Sequence, residues 1–258
     1  MEKYDIFITC SMKDYIKIDL CLEYLHKHIK NFDKIYLVTP NLINKSQLEK
    51  YNIEYFNDKD VLNINPMRWK YRPNWIYQQF IKLFQNITKN DYYFTIDADV
   101  IVNKDINMFN DNGKPIWYYG KDQNHAPYFN FQEKMLGFGR IANHTFINDT
   151  NFFNKNIIKD MLNRYKFTVQ TFIEKSYDII DNSCYLGEPE LYGNYVLKYY
   201  PDMYDIIQLK TTNMGKSQKN PFETVYSINE INKFINKNKE YDIIVVHSWY
   251  NGSYNCWE

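Results

Sequence analysis

Residues 92–102 read YYFTIDADVIV, an apolar and β-branched run interrupted by Asp97-Ala98-Asp99. The run has the composition of a buried strand. In an extended segment, residues two apart project to the same side, so Asp97 and Asp99 present their carboxylates together. Two such groups at the C-terminal end of a strand can hold a hard cation, Mn2+ or Mg2+, through oxygen. Open α/β sheets take their ligands at that edge. A cation there neutralises a diphosphate and stabilises it as a leaving group. Burying two like charges without one is costly. A solvated turn after a strand has the same D-x-D pattern, so the surroundings decide between the two.

Upstream, Tyr4–Thr9 (YDIFIT) is a short buried strand. Ile18, Cys21/Leu22, Leu25 and Ile29 follow at helical spacing. Residues 34–38 (KIYLV) form a second strand before Pro40, residues 47–51 a short helix, and Ile53–Phe56 a third strand. Alternating strand and helix predicts an α/β fold with a Rossmann-like, mostly parallel central sheet flanked by helices. Pro73–Phe84 reads as a helix with Pro73 in its first turn. The D-x-D therefore comes after three strands.

Downstream, residues 103–135 lack periodicity and contain Pro115 and Pro127. They are expected to be loops with one strand, Ile116–Tyr119, before a turn at Gly137-Phe138-Gly139. Ile157/Ile158 with Met161/Leu162, then Val169 with Phe172/Ile173, mark two helices. Residues 189–200 form a helix opened by Pro189 and two glutamates. Ser227 and Glu230 make a capping-box pattern. Residues 241–246 (YDIIVV) are a late strand that ends at His247. No repeat or linker divides the chain. One domain over residues 1–258 is expected, with a nucleotide-binding half about 1–102 and an acceptor-side half about 103–258.

Net charge is +0 over 258 residues, so no basic field points to nucleic acid. The 25 Tyr and 17 Phe can fill a core or stack on sugar rings, and they accompany an equally marked excess of Asn, Ile and Lys. Cys10, Cys21, Cys184 and Cys256 form no C-x-x-C pair and are too sparse for a disulfide scaffold, which reads as a reduced, cytoplasmic chain. Residues 1–12 already look like a strand, so no signal peptide is expected, and no run is long enough to cross a bilayer. Triplets such as Asn143-His144-Thr145 are then chance glycosylation patterns in an Asn-rich chain.

Further residues have chemistry to offer. The His247 imidazole can join carboxylates around a manganese-like ion, or simply pack at a strand end beside Trp249. Glu188 and Glu190 flank Pro189 at a helix start. Either can serve as a general base for an acceptor hydroxyl, and acids at that end also stabilise the helix. Trp75, Gln78/Gln79 and Lys82 share one helix face, from which Lys82 can reach a phosphate or lie solvated. Thr9, Ser11 and Asp14 stand where the first strand ends, a place for nucleotide contacts or for local caps.

The order of these pieces resembles GT-A-fold glycosyltransferases. They are T-x-S with Asp14, W-x-x-Q-Q-x-x-K from Trp75, D-A-D, G-E-P-E-L-Y-G, and the late V-H-S-W. More narrowly, the order is similar to poorly characterised bacterial and viral glycosyltransferase-like proteins, over roughly residues 4–250. The resemblance implies a nucleotide-sugar donor, UDP- or GDP-linked, with Mn2+ or Mg2+. The sugar would pass to a glycan, lipid-linked or protein acceptor, in the cytoplasm (a host's cytoplasm for a viral chain). It implies Asp99 as a direct metal ligand, Asp97 on metal or ribose, His247 as the third ligand, and an acid at Glu188 or Glu190 as the base of an inverting reaction. Pro189 between the two acids, and glutamate where many members carry aspartate, depart from the pattern. I-D-A-D-V also fits the nucleophile motif of haloacid-dehalogenase phosphatases, but there it lies on the first strand with a later G-D-x-x-x-D, which this chain lacks. A non-catalytic nucleotide-sugar-binding module is the other alternative.

Overall fold

A computed structural model describes residues 2–11, 14–40, 45–120, 124–214, 216–218 and 226–250. Cys256 lies outside them. Strands β1 (Tyr4–Thr9), β2 (Phe32–Val38), β3 (Ile53–Phe56) and β4 (Tyr92–Asp97) are parallel, in the order β3-β2-β1-β4. Ile6, Phe7 and Ile8 are all fully buried. Both sheet faces are therefore covered, and this is why the strands read as continuous apolar runs rather than alternating ones.

Helices α1 (Tyr15–His28), α2 (Lys45–Lys50), α3 (Asp58–Val61) and α4 (Pro73–Phe84) lie in the connections. On α1, Ile18, Cys21, Leu22 and Leu25 are fully buried, at the spacing of one helix face. Asp5 is also fully buried, within β1. Its carboxylate accepts from the backbone N–H groups of Lys89 and Asn90, each at 2.8 Å, and from Asn90 Nδ2 at 3.0 Å. A buried charge so satisfied fixes the turn that feeds β4.

The chain leaves β4 through Ala98 and Asp99 and resumes as β5 (Val100–Val102), then β6 (Ile116–Tyr119). The loop expectation for residues 103–135 fails in one respect: α5 (Ala126–Leu136) forms there. Pro127, read as a breaker, stands in the first turn of α5, where its missing N–H costs nothing, and Gly137 ends the helix at φ 71°. The next strand, β7 (Thr150–Asn154), was not expected from the sequence and pairs antiparallel with β4. It makes the five-stranded sheet mostly rather than wholly parallel.

Helices α6 (Lys155–Arg164), α7 (Val169–Ile179) and α8 (Glu188–Tyr199) follow, close to their expected positions. Then come β8 (Asp205–Gln208), paired with β6, β9 (Thr211–Asn213) and β10 (Lys216–Gln218). The helix α9 (Ile228–Lys237) opens with the expected Ser227/Glu230 capping box. Late in the chain, β11 (Ile243–Val245) pairs antiparallel with β5 and parallel with β9, and β12 (Ser248–Tyr250) pairs with β10. Among the described residues, no helix is long and apolar enough to cross a membrane.

Candidate active site at the end of the central sheet

Parallel register sets Thr9 beside Asp97 at the C-terminal ends of β1 and β4. Thr9 Oγ1 donates to Asp97 Oδ1 at 2.9 Å. The helix α4 passes over this edge. Gln78 Nε2 lies 2.7 Å from Thr9 Oγ1 and 3.1 Å from Asp97 Oδ1, and Lys82 Nζ stands 2.7 Å from the same oxygen. These contacts all converge on Oδ1, and none of them falls on Oδ2.

Lys82 is 5% exposed. It links two acids, since Nζ is also 3.6 Å from Glu188 Oε1. Burial alone would lower its pKa, but Asp97 and Glu188 outweigh burial and hold the ammonium above its usual range. Gln79, its amide nitrogen turned to the acid, donates to both oxygens of Glu188, at 3.1 Å to Oε1. Glu188 is 2% exposed. Burial raises its carboxyl to about 7; Lys82 opposes this and Asp97 adds to it.

The second aspartate meets the end of β11. Val246 N donates to Asp99 O at 2.8 Å, and His247 Nδ1 lies 3.4 Å from Asp99 Oδ2. Burial pulls the His247 pKa down, but Asp99 reverses this, helped by Asp149 and Asp97, and the imidazole is held above its ordinary value. Ser11 and Asp14 sit next to this junction. Ser11 Oγ donates to Asp14 Oδ2 at 2.5 Å, and Lys17 Nζ bridges Asp14 Oδ1 and Val246 O, each at 2.9 Å. Asp14 thus anchors, through Lys17, the backbone that carries His247.

Glu190 is engaged elsewhere. Its Oε1 accepts from Thr145 Oγ1 at 2.5 Å and Phe146 N at 2.9 Å, and its Oε2 accepts from Asn194 Nδ2 at 3.1 Å. These bonds staple the loop before β7 to α8.

Two participants escape the sequence reading. Gln78 was legible only as one member of a helix face. Asp149 carried no local signal, because its place depends on the unforeseen β7. It adopts φ 61°, the left-handed region. Burial pushes its carboxyl up to about 6, His247 pulling against this and Asp97 and Asp99 adding to it. At the sheet edge Asp97 and Glu188 thus face Lys82, Asp99 faces His247, and Asp149 lies within electrostatic reach of both groups. Among the described residues, no three His, Cys, Asp or Glu side chains are gathered as a formed metal centre.

Residues 2–189 match the family described as a family of unknown function, DUF6492. The chain belongs to that family. The DUF6492 match takes in Thr9, Lys82, the D-x-D, Asp149 and Glu188, and ends before Glu190 and His247. No curated protein matches the chain. Among solved structures, an active-site mutant of LgtC is similar at 10% identity and a TM-score of 0.47, over 95% of this chain and 88% of that one.

Proposed function

We propose that this protein is a metal-dependent glycosyltransferase that moves a sugar from a UDP- or GDP-linked donor to an acceptor hydroxyl with inversion. The observation that carries the reading is the contact of Asp99 with His247, next to Asp97, at the C-terminal edge of a mostly parallel sheet, with a buried Lys82 joining Asp97 to Glu188. In this reading residues 1–102 form the nucleotide-binding half, and residues 103–258 supply the acceptor side and the third ligand.

The donor set suits a manganese- or magnesium-like ion. It consists of hard carboxylate oxygens and one imidazole. Asp99 Oδ2 and His247 Nδ1 are 3.4 Å apart, near the spacing of about 3 Å that neighbouring ligands take in an octahedral shell with bonds of about 2.1 Å. The acids also outnumber the cations around them, which leaves negative charge for an ion to neutralise. Asp97 would contribute Oδ2, since Thr9, Gln78 and Lys82 already occupy Oδ1. The ion would supply positive charge to the departing nucleoside diphosphate.

The base role falls to Glu188 rather than Glu190. A carboxyl held at about 7 is half ionised near neutral pH, where a general base works best. Lys82 ties Glu188 to Asp97, whereas Glu190 is fastened to Thr145 and Phe146 in the loop before β7. In transfer, the acceptor oxygen attacks the anomeric carbon and its proton passes to Glu188. The bond from that carbon to the diphosphate oxygen breaks, and its electron pair leaves with the nucleoside diphosphate. Thr9, Gln78 and Lys82 orient Asp97, Gln79 orients Glu188, and Ser11 with Asp14 supports the His247 end.

Calorimetry with manganese and a panel of UDP- and GDP-sugars tests the reading. Asp99→Ala is expected to abolish metal-dependent donor binding with the fold intact, and Glu188→Gln to keep donor binding and lose transfer. Unchanged donor affinity in Asp99→Ala would sink the metal assignment. Phosphate release from simple phosphomonoesters, lost in Asp97→Asn, would favour a phosphatase instead. The anomeric configuration of the product, read by NMR, tests inversion.

A further inference from the structure

The first turn of α4 carries an aromatic cluster beside the residues that hold the two acids. Trp75 lies one turn before Gln78 and Gln79 on the same helix face. Gln79 holds Glu188, and Gln78 holds Asp97. The ring of Tyr185 stands at the centre of the cluster. It is stacked with Tyr71, ring centres 5.0 Å apart, and it meets Trp75 and Tyr128 at steep angles, at 5.6 and 5.2 Å. Its hydroxyl shares a hydrogen bond with His125 Nε2. Tyr185 is buried, whereas Tyr71, Trp75, His125 and Tyr128 are only half-buried.

The cluster adjoins Glu188. Tyr128 lies against Gly187, the residue before that acid, and a Cβ on Gly187 would come within 2.6 Å of the Tyr128 ring. Tyr185 N donates to Pro127 O at 3.2 Å, which ties the start of α5 to the segment that leads into α8. Tyr128 is within electrostatic reach of both Glu188 and Arg72. Three separate stretches of chain, 71–75, 125–128 and 185–187, thus converge next to the carboxylate assigned to take the acceptor's proton.

Polar groups in this cluster are unused. The Arg72 guanidinium lies 4.2 Å from the centre of the Trp75 ring, and among the described residues it has no carboxylate or hydrogen-bond partner. The Trp75 indole N–H likewise donates to none of them. Rings that serve the core alone are fully covered, as Trp69 is at 2% exposure, its N–H donating to Ser176 Oγ at 2.9 Å. Partly open rings with a few convergent donors have the composition of a small-molecule site. A pyranose suits such a site, since it offers an apolar C–H face to a ring and hydroxyls to the donors at its edge.

The geometry points to the rings around Tyr185, with Arg72 beside them, as the acceptor subsite, and to a saccharide as the acceptor. The sugar stacks on the aromatic platform, Arg72 and the indole N–H bind its hydroxyls, and the attacking hydroxyl is delivered to Glu188. This inference rests on the reading of the protein as a glycosyltransferase with Glu188 as base. It narrows the acceptor, because a serine or threonine side chain has a hydroxyl but no ring for the platform.

The test is saturation-transfer NMR with the methyl glycosides of glucose, galactose, mannose and N-acetylglucosamine, in Mg2+ with UDP or GDP present. Nucleotide affinity is measured in parallel by calorimetry. The wild type is expected to bind at least one glycoside through its ring C–H protons. Trp75→Ala and Arg72→Gly are each expected to weaken that binding at least tenfold, and Trp75→Phe, which keeps a ring, by much less. Arg72 has φ 42°, which glycine adopts freely, so Arg72→Gly removes the guanidinium without straining the backbone. A wild type that binds nucleotide but none of the glycosides would overturn the inference, as would glycoside binding unaltered in Arg72→Gly and Trp75→Ala. So would a Trp75→Ala protein that loses UDP or GDP affinity instead, since the rings would then hold the nucleobase. A wild type that binds a glycoside but no nucleotide or nucleotide sugar would sink the transferase reading and leave the saccharide site standing.

Discussion

Lys82 Nζ stands 2.7 Å from Asp97 Oδ1 with only 6% of the lysine side chain exposed, so the D-x-D of this chain is tied to an internal cation. The same ammonium faces Glu188 at 3.6 Å. Removing one member of a buried ion pair leaves the other charge uncompensated and costs about 3–5 kcal/mol. Lys82→Met is expected to lose stability on that scale in urea unfolding. Adding Glu188→Gln is expected to restore part of it, because one of the two stranded acids is gone. Additive losses in the double variant would show that Lys82 and Glu188 are not coupled.

The raised pKa of Glu188 makes a pH prediction with a definite sign. The folded protein holds this proton up to about 7, against 4.5 for an unperturbed glutamate. Its contribution to stability is therefore complete below about 4.5 and is lost as pH rises through about 7. The wild type should lose stability relative to Glu188→Gln across that window, by at most about 3 kcal/mol, and the difference should be flat above it. Denaturation series from pH 4 to 9 measure this. In a working enzyme, the wild-type transfer rate should climb as pH passes about 7.

Much of the N-terminal architecture was legible, for a physical reason. Parallel strands buried on both faces leave unbroken apolar runs, as in Tyr4–Thr9 and residues 92–97, and α1 keeps one buried stripe through Ile18, Leu22 and Leu25. The acids at the strand ends could be found by position alone. What stayed hidden was decided by pairing over long range. The strand β7 is a five-residue stretch, TNFFN, whose antiparallel seat beside β4 leaves no local mark, and Asp149 goes with it. Likewise Glu188 and Glu190 looked equivalent on either side of Pro189. Consecutive turns of tertiary contact separate them, one toward Lys82 and Gln79, the other toward Thr145 and Phe146.

That separation predicts different phenotypes for the two glutamates. Glu190→Ala strands the Phe146 N–H and the Thr145 hydroxyl, both of which the carboxylate now satisfies, while Asn194 Nδ2 keeps its 2.8 Å bond to Glu190 O. An unsatisfied buried donor costs about 1–3 kcal/mol, so a loss of at least about 2 kcal/mol is expected in chemical denaturation. Glu188→Gln keeps an amide in the same volume and is expected to fold normally. Equal stability losses in the two variants would remove the distinction.

Gly120 gives the last prediction, because it lets the Asp149 loop approach the end of β6. A Cβ at Gly120 would sit 2.8 Å from Ile147 O, a backbone atom that moves only with its loop. At Gly139 the same atom would meet nothing within 4 Å, and neither glycine has a positive φ. Gly120→Ala is therefore expected to destabilise by about 1–3 kcal/mol, as overpacking does. Gly139→Ala should be neutral or stabilising by up to about 1 kcal/mol, through the reduced freedom of the unfolded chain. Thermal melts of the two variants decide this. A Gly120→Ala protein with unaltered stability would mean that the loop is free to shift away, and its hold on Asp149 would then be looser than the hydrogen bonds of Glu190 with Phe146 N and of Asn148 with Tyr118 O require.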